Sequence, residues 1–247
     1  MRPDAHARAW ILHTRPWRET SLIVELFTAE AGRVGVVARG ARRPRRGGRV
    51  LEPFVALDCE LRGRGELRTL ARHEVAQRVA LAGDALYAGF YLNELVVRLL
   101  QREDAHPRLF EVYEGALGVL SLLPRGREAQ VALEPVLRRF EFALLDELGY
   151  GLPLDVDLSG APVDPARTYL VQPDSGVLPP TDAVAEGVST ETALQLTGAD
   201  LLAIAAGRLD SASVLRAAKR LARAALAPHL GPRPLASRAL FVRRTSG

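Results

Sequence analysis

The chain has 247 residues, 48% of them apolar and 25% charged, a formal charge of +4 and a mean hydropathy near zero; that composition fits a folded protein of two or three compact units and argues against disorder. No run approaches the roughly 18 uninterrupted apolar residues of a membrane span, and the first six residues lack the apolar stretch of a signal peptide, so the expected location is the cytoplasm. A single cysteine, Cys59, excludes an internal disulfide and a Cys-x-x-Cys metal knuckle, and a single lysine, Lys219, excludes most lysine chemistry.

From residue 6 to 73 the apolar spacing has period two, which predicts strands. Val55, Leu57, Cys59 and Leu61 alternate with Ala56, Asp58, Glu60 and Arg62, so one face is wet and Cys59 is a buried core thiol. Similar runs at 9–14, 21–28, 33–39 and 66–73, separated by turn signals at Arg15-Pro16, Glu30-Ala31-Gly32 and Gly63-Arg64-Gly65, bring the count to five strands. Five strands in so short a stretch fit a small closed barrel, either the five-stranded oligonucleotide-binding (OB) barrel or an SH3-like one. Between the third and fourth strands, residues 39–49 hold six arginines (Arg39, Arg42, Arg43, Arg45, Arg46 and Arg49) and no acid, with Gly and Pro opposing helix.

From residue 84 the period becomes helical. A first helix begins near Asp84 with Phe90, Leu92, Leu95, Val96 and Leu99 inward, and a second begins at Pro107 and stops at Pro124. A third carries Val136, Leu137, Phe140 and Leu144 on one stripe, with Pro135 marking a kink or a fresh first turn, and ends at Gly149-Tyr150-Gly151. Residues 152–189 read as loop or small hairpin, with a strand-like piece at 168–172 and a turn at Pro173-Asp174-Ser175-Gly176. A helix interrupted at Gly198 is expected over about 190–206, and a last one from a Ser211 or Ser213 cap to Ala227. The fold class is therefore α+β: an N-terminal barrel, then a helical domain with a small β or loop insertion.

Charge is segregated along this order. Residues 1–80 carry 16 Arg against 9 acids, residues 81–210 carry 9 Arg against 20 acids, and residues 211–247 carry 8 bases and no acid. On the last helix Arg216, Lys219, Arg220 and Arg223 form a polar face without a single acid, where a solvated face would mix signs, and phosphate backbone is the anion such a face suits. The arginine loop has the same chemistry. Near it, Arg15, Arg18 and Arg33 are candidate phosphate contacts, and Trp10, Trp17 and Phe54 either stack bases or fill the barrel; Trp17, beside a proline in a loop, is the one favoured for stacking. Arg138 and Arg139, next to Phe140 and Phe142, either clamp the carboxylates of an acidic, aromatic-tipped peptide or pair within the helix with Glu134, Glu141 or Asp146.

Enzyme signatures are absent: there is no phosphate loop, no His-Glu-x-x-His, no Gly-x-Ser-x-Gly and no Gly-x-Gly-x-x-Gly. The five histidines are scattered and lack cysteine neighbours, so neither a metal site nor a cofactor is expected. A non-enzymatic DNA-binding protein is the reading; a helical protein-interaction adaptor without direct DNA binding is the alternative.

Three stretches resemble the RecO family of bacterial recombination mediators. The first is His13-Thr14-Arg15-Pro16-Trp17-Arg18-Glu19-Thr20-Ser21, followed by Phe27-Thr28 and Val37-Ala38-Arg39-Gly40-Ala41-Arg42. The second runs from Leu137-Arg138-Arg139-Phe140-Glu141 to Leu148-Gly149-Tyr150-Gly151, and the third from Leu215-Arg216-Ala217-Ala218-Lys219-Arg220 to Pro234-Leu235-Ala236-Ser237-Arg238-Ala239-Leu240-Phe241. The resemblance implies an OB domain over 1–80, a helical domain beginning at 81–151, and a helical C-terminal part over 190–247. It also implies binding to single- and double-stranded DNA, strand annealing, and, with RecR, loading of RecA onto DNA coated by single-strand DNA-binding protein (SSB), in the pathway of RecF, so that the protein would be nucleoid-associated. Arg138 and Arg139 match the position where family members hold the acidic C-terminal tail of SSB. Many members carry a four-cysteine zinc knuckle after the helical body; residues 152–189 occupy that place without a cysteine, which makes the chain most similar to the zinc-free branch.

Overall fold

The computed structural model describes residues 4–42, 51–124, 127–179 and 193–237, with the backbone alone described at 4, 5 and 127–130. The chain forms two compact units: one runs to Leu133 and takes back the segment from Pro234, and the other is Glu134–Arg233.

In the first unit the strands are β1 (Asp4–Trp17), β2 (Ser21–Thr28), β3 (Gly32–Ala38), β4 (Val55–Arg62) and β5 (Arg68–Arg78). They close in the order β1-β2-β3-β5-β4. The short parallel contact of β3 with β5, through Val36–Arg68 and Val37–Thr69, is the Greek-key closure of an OB barrel and settles the choice against an SH3-like one. Inward residues such as Ile11, Val24, Leu26, Val36 and Leu57 are buried in the barrel core, as is Cys59.

The outer face of β1 and β2 is also buried, because α1 (Gly83–Leu99) and α2 (Pro107–Leu122) lie on it. Trp10 meets Tyr113 edge-on at 6.2 Å, and Phe27 meets Phe110 and Tyr113 at 5.5 and 5.7 Å. Asn93, the polar member of the inward stripe of α1, donates to the Leu12 carbonyl at 2.8 Å and accepts from the Tyr113 hydroxyl at 2.5 Å. That bridge satisfies polar groups which burial would otherwise penalise. Gly32 opens β3 at φ +59°, and a Cβ there would sit 1.6 Å from the Asp104 carbonyl oxygen, so the turn excludes every other residue.

The helix α3 (Arg127–Glu147) carries Pro135 in its interior, and the division between the units falls just before it, after Leu133. The second unit adds β6 (Thr168–Gln172), β7 (Gly176–Val177), β8 (Leu194–Thr197), α4 (Gly198–Ala205) and α5 (Ala212–Leu230). Its three strands pair in the order β7-β6-β8 over a core that includes Tyr169, Val171, Leu201, Val214 and Leu221.

The structure corrects two expectations. The described part of the helix expected over 190–206 is a strand followed by a helix: Leu194–Thr197 pairs with β6, and the Thr197 side chain then caps α4 by accepting from the Asp200 amide at 3.1 Å. Gly198 marks that transition, since a Cβ would lie 2.0 Å from the Asp164 carbonyl oxygen. The last helix, capped by Ser211 as expected, continues through Pro228 to Leu230; in a final turn the proline forfeits only one backbone bond. Among the described residues no helix is long and apolar enough to cross a membrane.

Candidate nucleic-acid interface

The β1–β2 hairpin closes on the Trp17–Ser21 pair, and Arg18 in its turn adopts the left-handed region at φ +51°. One barrel rung links Pro16 to Leu22 and Leu22 to Ala38, so the end of β3 lies beside this turn. Arg42 fastens the two together: its amide donates to the Thr20 carbonyl at 2.9 Å, and its Nη1 donates to the Arg18 carbonyl at 3.2 Å. Arg15, Trp17, Arg18, Arg39 and Arg42 are thereby gathered, all exposed, at one end of the barrel, with Glu19 the acid in the turn. None of these arginines forms an ion pair with a described residue. Trp17 is 38% exposed, whereas Trp10 is fully buried and Phe54, packed 5.1 Å from Phe90, is 4% exposed, so Trp10 and Phe54 fill the interior. Arg43, Arg45, Arg46 and Arg49 lie outside the described residues.

Arg33 does not belong to this cluster. It sits at the opposite end of β3, five residues or about 17 Å from Ala38 at the strand rise. Its Nη1 donates to the Val97 carbonyl and its Nε lies 3.4 Å from Glu25. Burial pulls the Arg33 pKa down, opposed by Glu25 and assisted by Arg102. Glu25 also takes Arg102 at 2.7 Å, and Arg68 takes Glu103 at 2.6 Å. These arginines brace the barrel against the helices, in a network that residue spacing alone does not reveal; the signal for it in the sequence is Glu25, a lone acid in an otherwise apolar strand.

In the second unit α5 buries Val214, Ala217, Ala218, Leu221, Ala222, Ala225 and Leu226. Arg216, Arg220 and Arg223 are exposed on the other side, Arg220 within 3.4 Å of the Gln195 carbonyl. Lys219 is engaged: its ammonium pairs with Glu134 of α3 at 2.5 Å. The ions continue along α3, where Arg138 reaches Glu141 at 2.8 Å and Glu134 at 3.8 Å. Arg138 is 3% exposed and Glu141 fully buried, so for Arg138 the pairing within the helix is the arrangement present, and Arg139 alone of the two faces solvent. Asp146 lies more than two helical turns beyond Arg138, and its pKa is raised by burial and by Glu147.

No group of three or more His, Cys, Asp or Glu side chains suited to a metal occurs among the described residues. In the loop between α3 and β6, Asp157 Oδ1 accepts from the Ser159 amide and hydroxyl at 2.8 and 2.5 Å and from the Ala161 amide at 3.1 Å. Those bonds, the Ser159 hydroxyl first, hold its pKa below the ordinary carboxylate range despite burial.

The family model described as Recombination protein O N terminal matches residues 1–79, and the one described as Recombination protein O C terminal matches residues 81–239. The chain is 48% identical over 238 residues to the DNA repair protein RecO of Stutzerimonas stutzeri, covering 96% of this chain and 93% of that one. It is 47% identical over 236 residues to the RecO of Pseudomonas paraeruginosa, with 95% and 94% covered. It is 45% identical over 234 residues to the RecO of Alkalilimnicola ehrlichii, with 94% and 89% covered. With both halves matched and relatives of this similarity spanning nearly its whole length, the chain belongs to the RecO family of DNA repair and recombination proteins.

Proposed function

We propose that the protein is a non-enzymatic recombination mediator that binds single- and double-stranded DNA, anneals complementary strands, and, with RecR, helps to load RecA onto SSB-coated DNA. The observation that carries this reading is the turn at Trp17–Arg18, stitched to Arg42 at the start of the arginine-rich stretch 39–49. An exposed indole among guanidinium groups offers a stacking surface for an unpaired base and charge for its phosphates, the combination that single-strand binding requires. The exposed arginines of α5 supply a second phosphate-binding face in the other unit. Arg139, exposed on α3, is the group available to the carboxylates of an acidic peptide such as the SSB tail, whereas Arg138 is taken up by Glu141.

The test is annealing of SSB-coated complementary strands, with oligonucleotide affinity measured across a salt series. Replacing Arg42, Arg43, Arg45 and Arg46 by Ala should lower the salt slope on single strands by about 3, at roughly 0.7 for each phosphate no longer neutralised. Trp17→Ala should cost about 1–3 kcal/mol of affinity for one base unstacked. Unchanged affinity in both variants overturns the interface. Binding of an SSB-tail peptide to a protein that ignores DNA at every salt concentration supports the adaptor alternative instead.

A further inference from the structure

Two turns at one end of the barrel hold each other. In the first, residues 18–20 reverse the chain beyond the Trp17–Ser21 pair, and Arg18 stands at φ +51°. A residue with a Cβ is disfavoured in the left-handed region, so its surroundings must hold Arg18 there. The second turn follows β3, where Gly40 adopts φ +69° with open space around the position of a Cβ; the backbone conformation, not crowding, calls for glycine. That turn delivers Arg42 to the first. Its amide donates to the Thr20 carbonyl at 2.9 Å and its Nη1 to the Arg18 carbonyl at 3.2 Å, so the carbonyls on either side of Glu19 are both fixed. The other N–H groups of the guanidinium remain for a phosphate.

We propose that Arg42 is a positioning residue for base stacking: it holds the Arg18 backbone in its left-handed conformation and thereby sets the direction in which Trp17 offers its indole to an unpaired base. Trp17 directly precedes Arg18, so relaxation of that residue toward an ordinary φ re-aims the end of β1 on which the indole stands. The proposal rests on the single-strand binding proposed above and gives Arg42 a part beyond its charge. The two parts separate physically. Charge acts through counterion release and is read in the salt dependence, where Arg42 and Arg39 are equivalent. Stacking releases no counterions, and Arg39, which has no bond to the turn among the described residues, does not contribute to it.

The exposed Trp17 reports stacking through its fluorescence, over a constant background from the buried Trp10. Oligothymidylate is titrated against the full chain across a salt series; affinity, salt slope and quenching at saturation are recorded, with a thermal unfolding curve for each protein. Arg39→Ala and Arg42→Ala should each lower the slope by about 0.7, the value for one phosphate, and Arg42→Ala alone should also reduce the quenching. Gly40→Val keeps every charge but strains the turn that delivers Arg42, and it should reduce the quenching too. Trp17→Ala should cost about tenfold in affinity in the intact chain, for one base unstacked, and less than about threefold once Arg42 is alanine. Arg18→Gly should restore the quenching in the Arg42→Ala chain, because glycine holds a positive φ without a brace; a general loosening of the barrel would not respond to that change.

Full quenching in Arg42→Ala, with the slope alone lowered, overturns the proposal. Equal costs of Trp17→Ala in the two backgrounds overturn it as well, as does quenching that Arg18→Gly leaves depressed. Where Arg42→Ala does not fold, Gly40→Val takes its place in the same comparisons. Binding by the intact chain without any quenching removes the positioning role and leaves phosphate binding standing. An intact chain that ignores the oligonucleotide at every salt concentration removes the DNA-binding reading itself.

Discussion

Replacing Arg138 with methionine separates the buried, ion-paired arginine of α3 from its exposed neighbour Arg139. The guanidinium is 3% exposed and lies 2.8 Å from Glu141, which is fully buried. Methionine keeps much of the stem and its packing, so the main loss is the charge that faces Glu141. Removing one member of a buried pair costs about 3–5 kcal/mol, and Glu141 would lose the cation that lies 2.8 Å from it in a desolvated place. Lys219 does not make up the difference, since its ammonium sits on Glu134. Arg138→Met with Glu141→Leu, which removes both charges, should recover most of the loss. Arg139→Met, on the solvent side, should stay within about 0.5 kcal/mol of the parent. Urea unfolding followed by far-ultraviolet circular dichroism measures all three, with a shifted midpoint at constant slope as the signature. A loss below about 1 kcal/mol for Arg138→Met would refute the reasoning, because it would show the guanidinium to be hydrated and free to meet carboxylates from elsewhere.

Other outcomes follow from the same geometry. Burial, then the charge of Asp58, pushes the Cys59 thiol up to about 12, so thiol reagents should label the native protein slowly at neutral pH and rapidly once denaturant is added. Asn93→Leu withdraws both the donor to the Leu12 carbonyl and the acceptor for the Tyr113 hydroxyl, and should cost about 2–4 kcal/mol of stability in urea. Burial disfavours the Glu94 charge, but the bonds from Ser237 and Ala236 and the charge of Arg98 outweigh it and hold the carboxyl below its ordinary range. Its contribution is therefore present above the ordinary carboxylate pKa of about 4.3 and is lost as pH falls through the lower folded value. Amide exchange at Ala236 and Ser237 should accelerate, beyond the intrinsic pH trend, only in that acidic window, with no corresponding step between pH 6 and 8.

The barrel was legible because most of its strands alternate and because Gly marks the turns before β3 and after β4, whereas the turn expected at Arg15-Pro16 falls at Arg18–Thr20, with Arg15, Pro16 and Trp17 paired inside β1. Alternation also explains the limits. In β1 the residues Ala9, Trp10, Ile11 and Leu12 are buried without a break, since a bulge falls between Ile11 and His13 and helices cover the outer face. A two-sided strand is still a strand, so the element was found while the covering of its outer face was not. The stretch 190–206 failed for a different reason. Leu194, Leu196, Leu201 and Ile204 fit a helical stripe as well as they fit a short strand running into a helix, and pairing with β6 decides between them. No local pattern contains that pairing.

Charge roles were the least legible, and the barrel shows why. Arg15, Arg18, Arg33 and Arg39 look alike in sequence, each a guanidinium in or beside a short strand. What divides them is which part of the barrel the helices cover. Between its end residues Ser21 and Thr28, β2 is apolar on both faces except for Glu25, and a strand of that kind must be buried on both sides. A buried carboxylate needs a cation. The register puts Glu25 opposite Gly35 and Phe27 opposite Arg33, which makes Arg33 the diagonal neighbour of Glu25 on the covered face. Arg33 was therefore assignable as an internal counter-ion once the antiparallel pairing of β2 and β3 was granted, whereas Arg15, Arg18 and Arg39 sit at the other end, where no buried acid among the described residues claims them. The inventory of basic residues describes what a segment can attract; only the inventory of buried acids, subtracted through the strand register, describes what it has left to attract it with.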